Sequence, residues 1–135
     1  MIRPIEPSDH PMVQTLQTNL TYADPTCLDA AINGPFLGRV ATNRGRVIGY
    51  AVAFPGDPAT LSELVVAPDV RREGYGRQLV ESIVSATAAE RTVVTTPIEN
   101  REARRFYATL GFEREKTLVG FYADGTDALR LARRE

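Results

Sequence analysis

Leu61-Ser62-Glu63-Leu64-Val65-Val66-Ala67-Pro68-Asp69-Val70-Arg71-Arg72-Glu73-Gly74-Tyr75-Gly76-Arg77 runs from an apolar strand through a proline-marked turn into a loop with two glycines. The strand is expected over residues 61–66, and a helix follows the loop at once: Leu79, Ile83 and Ala86 share one helical face, flanked by Val80, Val84 and Thr87. A helix N-terminus presents unpaired backbone N–H groups and partial positive charge, which suit an anionic diphosphate. Gly74 and Gly76, on either side of Tyr75, let the backbone approach phosphate oxygens with no Cβ in the way. Arg71, Arg72 and Arg77 can add charge-assisted hydrogen bonds. The plainer reading is a solvated arginine-rich loop whose glycines merely start a helix. Two other phosphate motifs are excluded: no Gly-x-x-x-x-Gly-Lys-Ser/Thr occurs, and Leu79 stands where a dinucleotide fingerprint needs its third glycine.

Upstream, residues 1–5 can form a short strand, and Ser8 or Asp9 can cap a helix whose stripe is Val13, Leu16, Gln17 and Leu20. Residues 21–35 carry Pro25, Gly34 and Pro35 around a short helix candidate at 28–32. Two β-rich runs, 36–42 and 46–54, are joined by the hairpin signal Asn43-Arg44-Gly45. Downstream, residues 92–96 are β-branched almost throughout and read as a buried strand. An amphipathic helix over 100–110 ends at Gly111, a good residue just past a helix C-terminus. Residues 112–122 and 128–132 form a closing strand pair around Ala123-Asp124-Gly125. Strands alternate with helices in the middle of the chain and antiparallel hairpins flank them, the pattern of one α/β (α+β) domain over residues 1–135.

Composition narrows the function classes. Apolar residues are 43% and charged residues 24%, an ordinary globular balance, and the formal charge of −1 implies no general nucleic-acid-binding surface. Lys116 is the only lysine, so nearly all cationic side chains are guanidiniums. One cysteine, Cys27, and one histidine, His10, leave no intrachain disulfide framework and no cysteine- or histidine-rich metal cluster; no metal is expected. No apolar run approaches the roughly 20 residues of a membrane span, and the N-terminal residues do not resemble a signal peptide, so the expected location is cytoplasmic.

The second informative segment is Asn100-Arg101-Glu102-Ala103-Arg104-Arg105-Phe106-Tyr107-Ala108-Thr109-Leu110-Gly111-Phe112. Asn100 and Tyr107 lie two turns apart near one face, Phe106 and Leu110 are expected to face the sheet, and the Tyr107 hydroxyl can reach a cleft; alternatively, Tyr107 is a core aromatic. The charged set Arg101, Glu102, Arg104 and Arg105 reads most simply as a solvated helix face. Taken together, Arg-x-x-Gly-x-Gly after a strand and Asn-x-x-Ala-x-x-Phe-Tyr-x-x-x-Gly-Phe some twenty-five residues later resemble the GNAT superfamily of N-acetyltransferases, from about Val40 onward. Within it, Gly120-Phe121-Tyr122-Ala123-Asp124-Gly125-Thr126-Asp127-Ala128 is similar to the ending of the enzymes that acetylate ribosomal-protein N-termini.

That resemblance implies a mixed, mostly antiparallel sheet splayed between its fourth and fifth strands, with helices on both faces and acetyl-CoA as cosubstrate in the gap. It implies that the backbone of Leu64, Val65 and Val66 binds the pantetheine arm, that the loop from Arg71 to Arg77 binds the pyrophosphate, and that Asn100 contacts the cofactor. It also implies that Tyr107 protonates the departing thiolate and that Phe121 and Tyr122 line the acceptor site. Three positions depart from the family pattern: Glu73 puts an acid beside the phosphate loop, Thr95 replaces the glutamate thought to act as base in the ribosomal-protein enzymes, and Phe121 replaces a tyrosine. Glu63 then becomes the candidate base, acting through a water, with a solvated strand residue as the other reading. An α-amine of pKa about 7.8 is roughly one third neutral at pH about 7.5, against about 0.1% for a lysine amine. A site without the usual base therefore favours a protein N-terminal α-amine as acceptor. A small amine, or a CoA-binding module without turnover, are the alternatives; a monomer or homodimer is expected, with no nucleic-acid or membrane partner.

Overall fold

The apolar runs become the strands of one seven-stranded sheet: β1 (Ile2–Pro4), β2 (Leu37–Asn43), β3 (Arg46–Phe54), β4 (Ala59–Val66), β5 (Arg91–Pro97), β6 (Glu113–Leu118) and β7 (Ala128–Arg134). The computed structural model describes residues 1–23 and 25–135; Asp24, inside the 21–35 segment, lies outside the described residues. The strand order is β1-β2-β3-β4-β5-β7-β6. Every pairing is antiparallel except β4 with β5, which run parallel and pair only from Ala59↔Thr92 to Leu61↔Val94. Beyond Leu61 the two strands part, so the sheet opens into a splay at this one junction. The β2–β3 hairpin closes at Arg44-Gly45, both with positive φ, as the sequence anticipates.

Among the described residues four α-helices cover the sheet: α1 (His10–Gln17), α2 (Pro25–Asn33), α3 (Tyr75–Thr87) and α4 (Arg101–Thr109). Two apolar clusters, one on each face, explain why β3 is buried along nearly its whole length. On one face Val13 and Leu16 of α1 and Leu28 of α2 pack on Val40, Tyr50, Val52 and Val65. On the other, Leu79, Val80 and Ile83 of α3 and Tyr107 of α4 pack on Ile48, Ala51 and Leu61. The 3.6-residue spacing of the α3 stripe is what aims Leu79 and Ile83 inward; both are fully buried, worth about 1.5–3 kcal/mol each in apolar transfer.

Three local expectations change. The first is the helix start near Ser8, where a 3₁₀ turn (Pro7–Asp9) precedes α1. Asp9 does take the N-cap position of α1, but its carboxylate makes no cap hydrogen bond there; it accepts from Glu6 N at 2.8 Å and from both terminal nitrogens of Arg3 at 2.8 Å, tying β1 to the turn. Arg3, as the first cause, holds Asp9 below the usual carboxylate range. The second is α2, which is longer than the 28–32 candidate. The third is the closing pair, in which β6 stops at Leu118 rather than reaching residue 122. Gly120 has φ +62 and donates its N–H to Asp127 Oδ1 at 2.8 Å, so the chain leaves the sheet early and forms a wide loop.

Candidate active site

The splay between β4 and β5 and the loop before α3 open on one cleft of about 840 Å³. Leu64, Val65 and Val66 of β4, the loop residues Arg71, Arg72, Gly74, Tyr75, Gly76 and Arg77, and Asn100 and Tyr107 of the α4 region all line it. Two segments some twenty-five residues apart in sequence therefore meet across one cavity.

The loop has a built backbone. Arg72 and Gly74 both take left-handed conformations (φ +67 and +89), a turn geometry that tilts successive N–H groups to one side. Arg72 adopts it despite its side chain, at a cost of order 1 kcal/mol, the kind of strain that functional loops retain. Gly74 is the N-cap of α3, and among the described residues no side chain caps the helix, so its first-turn N–H groups are left for another acceptor. Arg71 is anchored by its Nε, which donates to the carbonyl of Val66 at 3.2 Å. The glycines serve different ends. A Cβ on Gly74 would meet nothing within 4 Å, and it is the positive φ that requires glycine there; a Cβ on Gly76 would stand 3.0 Å from Phe106 Cζ. Gly76 thus lets α3 and α4 close on each other. Glu73 is exposed and does not face the cleft.

Helix α4 differs from expectation in its rotation. Asn100 is the N-cap, its Oδ1 accepting from Ala103 N at 3.1 Å, so this atom is committed to the helix. Tyr107, not Phe106, is the buried one: Tyr107 is 6% exposed and meets Phe106 and Phe112 edge-on, while Phe106 is half-buried on the cleft wall under Gly76. The two readings of Tyr107 converge, because it belongs to the core and lines the cleft. Its hydroxyl hydrogen-bonds no other described residue, and burial pushes its pKa up, so it is protonated at neutral pH.

Glu63 is not a solvated strand residue. It is 5% exposed and accepts from Tyr50 Oη at 2.8 Å and from Gln17 Nε2 at 3.0 Å. A bulge opposite Val52/Ala53 turns Glu63 to the α1 face, behind the cleft wall rather than on it. Burial, then the Glu63 carboxylate, raises the Tyr50 pKa well above the ordinary tyrosine value. Thr95 is half-buried on β5.

Phe121 and Tyr122 stand on the β6–β7 loop and do not line the cleft. Tyr122 stacks on Tyr22 with ring centroids 3.9 Å apart, Tyr22 Oη donates to Asp124 Oδ2 at 2.7 Å, and Phe121 is 54% exposed. Burial, with Tyr22 second, pushes Tyr122 up to about 12. This contact joins the β6–β7 loop to the segment after α1. Sequence reasoning missed Asn19 and Leu20, at the end of that helix, and Ala103 and Thr109 of α4 as cleft residues. Their only signal was helical spacing, which looks the same for a core face and a cleft face. Among the described residues no group of three or more His, Cys, Asp or Glu side chains is placed to hold a metal ion, and no helix is long and apolar enough to cross a membrane.

Comparison with known proteins finds a family for most of the chain and solved structures of the same shape. The model of the acetyltransferase (GNAT) domain matches residues 35–114. N-alpha-acetyltransferase 30 of Xenopus laevis is 38% identical over 74 residues, 53% of this chain and 27% of that protein. Mycothiol acetyltransferase of Clavibacter michiganensis subsp. michiganensis is 34% identical over 96 residues, 71% of this chain and 31% of that protein. The chain thus spans less than a third of the length of either relative. The solved structure of Ard1 from Thermoplasma volcanium superposes with a TM-score of 0.87 at 28% identity, covering 99% of this chain and 96% of that one.

Proposed function

Because the chain belongs to the GNAT acetyltransferase family, we propose that it transfers the acetyl group of acetyl-CoA to a primary amine, most readily the α-amine of a protein or peptide N-terminus. One observation carries the reading: the uncapped start of α3, flanked by Arg71, Arg72 and Arg77, opens on the same cleft as Tyr107 and the parted edge of β4. Acetyl-CoA supplies an activated thioester, and the residues here fit its parts. The α3 N–H groups and the guanidiniums suit the pyrophosphate, and the β4 backbone at Leu64, Val65 and Val66, freed from β5, suits the amides of the pantetheine arm. Asn100 helps chiefly by fixing the start of α4 at the cleft wall.

Acetyl transfer by direct displacement needs a neutral amine and a proton donor for the thiolate that leaves. Tyr107 is the donor: it is protonated, fixed between two aromatic rings, and on the cleft wall. With a pKa raised above that of a thiol, it acts first as a hydrogen-bond donor to developing negative charge and gives up the proton late. Glu63 is the proton acceptor, reached through water because it sits behind the wall. Phe121 and Tyr122, with Tyr22 stacked on the latter, stand outside the cofactor cleft on the β6–β7 loop and are the residues we assign to the acceptor.

Similarity to N-alpha-acetyltransferase 30 supports the peptide acceptor; similarity to mycothiol acetyltransferase over a longer segment supports a small-molecule amine as the second reading. Matched peptides decide it, one with a free N-terminus and one N-terminally blocked with an internal lysine, together with a polyamine. The free N-terminus is expected to be preferred, with kcat/KM rising with pH and levelling near pH about 8 as the α-amine becomes neutral. Glu63→Gln is expected to slow the reaction at neutral pH and to lose most of that effect above pH about 8.5, with thermal melting checking that the Tyr50–Gln17 network survives. A preference for the blocked peptide or the polyamine overturns the acceptor while leaving acetyl-CoA use intact.

A further inference from the structure

Helix α4 has a second face that the reaction does not use. Arg101, Arg104, Arg105 and Ala108 follow i, i+3, i+4, i+7 spacing and so share one side of the helix. In the fold this side does not simply face bulk water. With Arg114 of β6 it borders an open groove of about 590 Å³ on the outer part of the sheet, over the buried Phe112, Leu129 and Leu131. Among the described residues no Asp or Glu lines it.

Three features together describe these four guanidiniums. First, among the described residues none of them has a carboxylate partner, a state they share with Arg39, Arg44, Arg71, Arg72, Arg77 and Arg134 but not with the ion-paired Arg3, Arg46, Arg91, Arg130 and Arg133; Arg104 Nη1 donates to the Ile98 carbonyl and Arg114 Nη2 to Thr117 Oγ1. Second, they stand where electrostatics opposes them: like charges at i, i+3 and i, i+4 repel, and Arg101 begins a helix whose N-terminus is already positive. Third, the floor of the groove is apolar, formed by Phe112, Leu129 and Leu131. A peptide segment can lay apolar side chains on that floor beside its carboxylates, which a uniformly charged polyphosphate backbone cannot. Planar guanidinium forks match carboxylates in bidentate geometry.

We propose that the groove between α4 and β6 is a docking site for a short acidic segment of a protein chain, held by Arg101, Arg104, Arg105 and Arg114. This does not depend on the acetyltransferase reading. The groove is separated from the cleft by the α4 helix, with Arg105 alone touching both.

The test uses a fluorescein-capped nonapeptide of glutamates with leucine at every third position, which has no free N-terminus to acetylate. Anisotropy is read with CoA at saturation so that the Arg71–Arg77 loop is occupied. The native chain is expected to bind the peptide with salt-sensitive affinity, and Arg101→Glu/Arg114→Glu to weaken it about tenfold or more, while turnover of a peptide acceptor stays within about twofold. Neither substituted residue lines the cleft. The milder Arg101→Gln/Arg114→Gln pair is expected to give a smaller loss in the same direction and serves if the reversed pair does not fold. No binding by the native chain, equal binding by the variants, or displacement of the peptide by CoA overturns the proposal. Tighter binding of a single-stranded oligouridylate than of the peptide overturns it in favour of a nucleic acid.

Discussion

Two arginine-rich regions of this chain have nearly the same local composition and opposite architecture. In the loop before α3 the guanidiniums of Arg71, Arg72 and Arg77 surround backbone: two left-handed residues, an uncapped helix start, and Gly76 packed against Phe106. On α4 the guanidiniums of Arg101, Arg104 and Arg105 stand over an apolar side-chain floor at a helix start that Asn100 caps, and Arg104 Nη1 donates to the Ile98 carbonyl at 2.9 Å. Charge alone therefore does not define a ligand. A diphosphate needs converging N–H donors at fixed positions, which only the loop supplies, whereas side-chain forks over an apolar floor suit carboxylates of variable spacing.

The largest effect should come from the other face of α4, which turns Tyr107 toward the cleft. Tyr107→Phe is expected to lower kcat by about 10²–10⁴-fold with CoA affinity nearly unchanged, as for loss of a general acid. Steady-state kinetics and calorimetry on one preparation test this; full kcat would leave Tyr107 with packing alone.

An intermediate effect is expected in the loop. Gly74→Ala forces a side chain into φ +89 although the space around it is open, and Gly76→Val drives a side chain into the Phe106 ring. The first should cost about 1–2 kcal/mol of strain and the second about 1–3 kcal/mol of overpacking. Both should weaken CoA binding by about tenfold or more, because the N–H groups no longer converge. Unchanged CoA affinity in a folded Gly74→Ala variant would remove the backbone from the account of this site.

The smallest effects test the comparison most directly. Arg71→Gln should weaken CoA binding by about tenfold, the worth of one charge-assisted contact, and Arg101→Gln by less than about twofold. Similar losses at the two positions would mean that long-range charge, not the built loop, attracts the cofactor.

Much of this was legible in the chain itself. The residue 61–77 segment identified its strand, its loop and its helix because local signals coincide there: β-branched residues, a proline stop, glycines, then 3.6-residue spacing. Asn100 and Tyr107 were legible as a pair because helical geometry places residues seven apart on one side. Spacing does not say which side of a helix meets the sheet, so Phe106 and Tyr107 exchanged places between expectation and structure. The end of β6 depended on Asp127 reaching back seven residues to Gly120 N, an interaction that no strand propensity encodes.

What the sequence by itself determined is therefore local: the order of strands and helices, the phosphate-suited loop, and the residues available to it. What only the tertiary structure decided is which distant groups meet. It buried Glu63 between Tyr50 and Gln17, the latter 46 residues away, stacked Tyr22 on Tyr122 across 100 residues, and turned an arginine stripe on α4 into the wall of a groove. The physical reason is range. Propensity, capping and periodicity act over a few residues, while burial, charge pairing and cavity shape depend on how the sheet brings remote segments together, and that is set by the packing of the whole core.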